Sequence, residues 1–160
     1  MLCFSSVAEE QYKNSIDVIE LSKPELNSGK LLMQALSDRK STKSFSQKEL
    51  TTPLLSNLLW AGFGINRKNG KHTAPSAANS QNITIYTVMK KGVYKYVPGK
   101  FQLKPVLEMD IRGSCGYQYF LETPVIGQAK RSDISKKLKL NENQKVMLIQ
   151  PVGYPSEHKS

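Results

Sequence analysis

Arg39, Ser41 and Lys43 stand at spacing i, i+2, i+4 within "SDRKSTKSFS" (37–46), where three cations sit among serine and threonine hydroxyls. In a loop or extended segment alternate side chains face one way, so two cations and a hydroxyl converge on one anion. Arginine brings a bidentate fork and lysine a mobile point charge, a pairing suited to a phosphate monoester. The same residues also read as a solvated linker or as a nucleic-acid contact, and composition alone favours the solvated loop.

Other chemistries find less support. "NSGK" at 27–30 has the closing letters of a P-loop without its earlier glycine or a preceding strand, and no GxGxxG or GxSxG occurs. Glu108 and Asp110 read as a surface pair rather than an acid/base couple. His72 and His158 have no second ligand at metal-binding spacing, and Cys3 with Cys115 forms neither a zinc pattern nor a disulfide framework. No metal is expected. The 23 Lys and Arg against 13 Asp and Glu give a formal charge of +10 over 160 residues, so anionic partners are favoured.

The elements that must position these residues follow from periodicity. Residues 9–28 are polar and predict an extended entry. Leu31, Leu32, Ala35 and Leu36 recur at helical spacing over 29–38, so the cationic cluster falls at a helix end or just beyond. A second helix is capped at Thr51 or Thr52, has Pro53 in its first turn, buries Leu54, Leu55, Leu58, Leu59 and Trp60, and stops at Gly62 and Gly64. A polar loop with an Asn-Gly turn leads into the strand "NITIYTVM", a turn at Gly92 and the strand 93–97. Beyond Pro105 a short helix or irregular structure is expected. Ser132 or Asp133 then caps the helix "ISKKLKL", and "KVMLIQPVGY" predicts a central strand. This is an α+β pattern in one domain. Tyr94 and Tyr96 share a strand face, which packs on the core or, with Tyr86, Phe101 and the lysines, offers a base-stacking platform for RNA.

No run approaches the roughly 20 apolar residues of a membrane span. "MLCFSSVAEEQ" ends its short apolar stretch in Ser6-Val7-Ala8, a small-x-small pattern without a basic start. Residues 1–28 are expected to be an N-terminal extension or a signal-peptide remnant. The sequence as it stands predicts a cytoplasmic protein, or an exported or periplasmic one if a signal start lies upstream.

"DRKSTKSF" behind a leucine-rich helix, followed by "LSNLLWAGFGINRKNGKHTAPSAANSQNITIYTVMKKGVYKY", resembles the nitroreductase family of flavin oxidoreductases, in particular its SagB-type or nitroreductase-like branch. "LKLNENQKVMLIQPVGYP" resembles the end of the same domain. The resemblance covers most of the chain from about Leu31. It implies a nitroreductase-like α/β sandwich over 29–156, with a mainly antiparallel sheet flanked by helices, and a homodimer with FMN at its interface. Arg39, Lys40, Ser41 and Lys43 would then hold the flavin phosphate and ribityl or ring edge. Pro75, Ser76 and Ala77 would touch the FMN of the opposite subunit, supported by Asn79 and Gln81, and Gly127 would lie in the loop passing the ring face. No dedicated catalytic acid or nucleophile is required, because the flavin carries the chemistry. NAD(P)H would be the electron donor and a nitroaromatic, quinone or similar small molecule the acceptor, with no nucleic acid or membrane as partner. The resemblance also implies a shortened domain, lacking several dozen residues between "YFLETP" and "VIGQAKRSD". A paralogue that binds a flavin or another anion without turnover, and an RNA-binding protein, are the alternatives.

Overall fold

The computed structural model describes residues 16–40, 42, 44–115 and 131–156, the side chain of Ala77 excepted. Of the expected N-terminal extension or signal-peptide remnant at 1–28, residues 1–15 lie outside the described residues, as do Ser41, Lys43 and Gly127. A four-stranded antiparallel sheet runs in the order β1-β4-β3-β2, built from β1 (Ile19–Glu20), β2 (Tyr86–Met89), β3 (Gly92–Val97) and β4 (Gln102–Leu107). Three helices accompany it: α1 (Leu32–Asp38), α2 (Thr52–Phe63) and α3 (Arg131–Lys137).

Alternation along β3 divides the core between the two sheet faces. Tyr94 and Tyr96 are buried with Leu103 of β4, Leu55 and Leu59 of α2, and Leu21. Val93 is buried instead with Ile111 and Ile134 of α3. The result is a sandwich, with α2 covering one face and α3 the other. The tyrosines belong to the core rather than to an RNA platform, and burial raises both phenols above their ordinary value.

Helix α2 starts at Thr52 with proline in its first turn, as expected, while Thr51 holds the N-cap position without a side-chain capping hydrogen bond. Its buried positions are Leu55, Ser56, Leu59 and Phe63, whereas Leu54 and Leu58 point outward at 43% and 40% exposure, contrary to the expected buried face. Ser56 is buried at no cost in lost hydrogen bonding because its hydroxyl donates to the Ser22 carbonyl. The Glu25 N–H donates to Asn57 Oδ1 at 2.9 Å, so the segment after β1 is tied to α2 twice.

Three further expectations are corrected. Helix α1 begins at Leu32 rather than 29, and every one of its residues is exposed. Leu31, Leu32 and Met33 stand 72–82% exposed, an apolar surface left uncovered among the described residues. The strand β4 runs through Pro105 to Leu107, where no strand was expected, and residues 108–115 beyond it are turns and irregular structure, as expected. Proline is accommodated because Pro105 lies opposite Tyr94, beside a register shift, and β1 pairs only with Gln102 and Leu103. Finally, residues 145–154 form no strand. Val146 and Ile149 pack against the second core cluster, while Met147 and Leu148 stand outward at 76% and 60% exposure. The segment then runs beside the loop after α1, where Phe45 and Pro155 form an isolated antiparallel bridge. In the β2–β3 hairpin the turn is Lys90–Lys91, and Gly92, with φ +154°, opens β3 against the Leu107 carbonyl, too close for any side chain. Among the described residues no helix is long and apolar enough to cross a membrane.

Candidate functional site

A cleft of about 270 Å³ opens where α2 ends, lined among others by Phe63, Arg67, His72, Ser76, Asn79 and Gln81. Its back wall is set by the way α2 stops. The Gly64 N–H donates to the Trp60 carbonyl at 2.7 Å and also to Thr73 Oγ1 at 3.1 Å, while the Thr73 hydroxyl donates to Trp60 O at 3.2 Å. One threonine therefore serves the last turn of the helix from a residue nine positions on, satisfying groups that a helix terminus leaves orphaned. A Cβ on Gly64 would meet the Trp60 carbonyl oxygen at 2.6 Å and its indole ring, so only glycine permits this turn.

The rim is a short hairpin-like loop. The Gly70 N–H donates to Arg67 O at 3.0 Å with Gly70 at φ +77°, and Asn66 N donates to Lys71 O at 3.2 Å beside the Ile65–His72 bridge. Arg67 and Lys71, four apart in sequence, both line the cleft as a result. The His72 imidazole stacks on Phe63, and its Nδ1 donates to the Phe63 carbonyl at 3.1 Å, which leaves Nε2 without a proton in the neutral ring.

The opposite wall is the Pro75–Gln81 segment. Ala77–Asn79 make one 3-10 turn, closed by Asn79 N donating to Ser76 O at 3.1 Å. Gln81 N donates to Ser76 Oγ at 3.1 Å, so the serine hydroxyl keeps its own proton to donate into the cleft. Ala78, Asn79 and Gln81 all hold left-handed φ values of 47–55°. Asparagine tolerates that region, but alanine and glutamine do so at about 1 kcal/mol each, a concentration of strain typical of a backbone held for a purpose.

Pro75, Ser76, Asn79 and Gln81 are thus brought together in one cleft, and Ala77 opens their turn. Arg39 and Lys40 are not among its lining residues. They stand exposed directly after α1, where the Arg39 N–H donates to Leu36 O at 3.3 Å. The chain beyond them is pinned by the C-terminal segment: Ser46 N donates to Tyr154 O at 2.8 Å, Ser156 N donates to Ser44 O at 3.1 Å, and Lys48 Nζ lies 4.8 Å from the centre of the Tyr154 ring. Sequence reasoning missed Phe63, Arg67 and Lys71 as lining residues. The Asn69-Gly70 turn was the available signal, since reversal of the chain there had to bring its flanks together. Among the described residues no group of three His, Cys, Asp or Glu could hold a metal ion.

The architecture is that of the nitroreductase fold, an antiparallel sheet sandwiched by helices. A crystal structure of an assigned nitroreductase from Ralstonia eutropha JMP134 superposes with a TM-score of 0.81 at 28% identity, covering 91% of this chain and 92% of that one. The match runs nearly end to end in both, and the stretch from which a segment was expected to be missing lies among residues 116–130, outside the described ones. The sequence agrees with the fold: residues 36–110 match the nitroreductase family. That span holds both the cationic cluster and the cleft. An assigned nitroreductase of Methanocaldococcus jannaschii is 29% identical over 101 residues, 59% of this chain. The chain spans about half the length of that curated relative.

Proposed function

We propose that the protein is an FMN-dependent oxidoreductase, working as a homodimer, that takes electrons from NAD(P)H and delivers them to a nitroaromatic, quinone or similar acceptor. The observation that carries this reading is the convergence of Pro75, Ser76, Asn79 and Gln81 on one cleft within the span that matches the family. Their chemistry fits a flavin. The Ser76 hydroxyl and the Asn79 and Gln81 amides offer donors and acceptors for ribityl hydroxyls or a ring edge, and the Phe63–His72 stack supplies a flat wall. When bound, the flavin accepts two electrons from the nicotinamide and gives them to the acceptor.

The chain's own part is to hold and orient. At about 270 Å³ the cleft falls just below the roughly 300–1,000 Å³ of small-molecule sites, which supports an FMN site completed by a second chain. Arg39 and Lys40, with Ser41 and Lys43 in the same run, would supply the phosphate grip from the second chain. Such sharing accounts for the absence of Arg39 and Lys40 from this chain's cleft lining. The exposed α1 leucines and the outward Met147 and Leu148 are the apolar surface that a second copy would cover. Cations at the phosphate also favour the anionic reduced flavin. The visible spectrum of the purified protein tests the reading: flavin absorbance should co-purify or appear on adding FMN, and a protein that takes up no FMN would sink it.

A further inference from the structure

Two cations in the cleft have no task in the flavin reading, and resting on that reading we propose that Arg67 and Lys71 form a phosphate-monoester subsite for the reductant, selecting NADPH over NADH. Both residues line the cleft, brought to the same rim by the turn at Gly70. The ion pairs among the described residues are Lys30 with Asp38, Arg112 with Asp110 and Lys137 with Asp133, so neither rim cation is neutralised by a carboxylate. No Asp or Glu lines the cleft either.

Two uncompensated cations on a concave surface, in a chain of formal charge +10, concentrate anions there. The two reductants differ by one phosphate monoester in place of a ribose hydroxyl. An arginine fork beside a lysine point charge matches a dianionic phosphate and gains little from a neutral hydroxyl. The backbone carrying Lys71 is fixed, because the neighbouring His72 is held on Phe63 by both stacking and a hydrogen bond. The flavin phosphate is not the expected occupant, since the run from Arg39 to Lys43 is assigned to it.

The test is calorimetric titration of the FMN-loaded protein with adenosine 2′,5′-bisphosphate and adenosine 5′-monophosphate, repeated on Arg67→Gln/Lys71→Gln. The wild-type protein should bind the bisphosphate roughly tenfold or more tightly, as charge-assisted contacts to one phosphate require. The double variant should bind the two nucleotides alike. Equal affinities in the wild type, or a preference that survives in the variant, would overturn the proposal. So would loss of FMN from the variant, since the cations would then serve the cofactor. If the wild-type protein takes up no FMN, the flavin reading fails by itself. The same titration of the chain alone then decides the subsite, which stands if the bisphosphate is still preferred and falls if it is not.

Discussion

The His72 imidazole lies flat on the Phe63 ring, with centroids 3.9 Å apart and planes 9° from parallel. One face of the cleft is thus a two-ring stack that joins the last residue of α2 to the loop carrying Lys71. An aromatic pair contributes about 0.5–1.5 kcal/mol beyond its buried area, and the Nδ1 hydrogen bond adds roughly 1 kcal/mol. His72→Ala should therefore lower unfolding stability by about 2 kcal/mol, measured from urea midpoints at unchanged slope. His72→Phe, which keeps the stack and loses the hydrogen bond, should recover about half of that loss.

Gly64→Ala should be costlier than its size suggests. The added methyl would strike the Trp60 carbonyl, which already accepts from Gly64 N and Thr73 Oγ1. Relief requires moving the helix end, so the expected loss is about 2–3 kcal/mol. Thr73→Val, which keeps the shape and removes the hydroxyl, should cost about 1 kcal/mol.

Lys137 Nζ donates to Ser114 Oγ at 2.6 Å, and that hydroxyl donates to Asp133 Oδ2 at 2.8 Å, pinning α3 to the turn after Ile111. Ser114→Ala should cost about 1 kcal/mol, because Asp133 and Lys137 still meet directly at 3.1 Å. Lys137→Met should cost less, since both charges are a third or more exposed and water screens them. The reverse order in thermal unfolding would mean that the ion pair, not the hydroxyl, holds the helix.

Burial pushes the Cys115 thiol above its ordinary value of 9.0, with nearby Lys137 pulling less strongly the other way. A group whose folded value is raised contributes stability that is intact below its unfolded value and is lost as pH climbs through the folded one. The thiol's contribution to stability should therefore be level below about pH 9 and decline above it, with Tyr94 and Tyr96 adding to the decline at higher pH. Cys115→Ala should flatten the first part of that limb. In Cys3→Ser protein, iodoacetamide should label Cys115 more slowly in the folded state than in urea.

The hairpin, α2 and α3 were legible because each carries a local signal: alternation in 82–97, a proline-started leucine helix, and a basic helix, although β2 begins only at Tyr86 and the expected caps Ser132 and Asp133 lie inside α3. The α+β sandwich followed from them. The segment 145–154 was misread because an apolar run fits a buried strand equally well when nothing local says whether a sheet edge will receive it. β4 was missed because proline argues against a strand, and only the register shift opposite Tyr94 makes room for it. Within the candidate site, the segment from Pro75 to Gln81 was reached through the family resemblance, its own residues reading only as a polar loop. The contribution of Phe63, Arg67 and Lys71 was not, because it depends on Thr73 reaching back nine residues to fix the end of α2.

The central claim is a flavin site shared between two chains. Sedimentation velocity of the FMN-loaded protein, followed at the flavin absorbance band, tests it directly, with Arg39→Ala/Lys43→Ala as the comparison. Wild-type protein should carry the flavin signal in a species of twice the chain mass, and the variant should sediment as the same species without the flavin. Flavin that travels with single chains, or that stays bound to the variant dimer, would contradict the account.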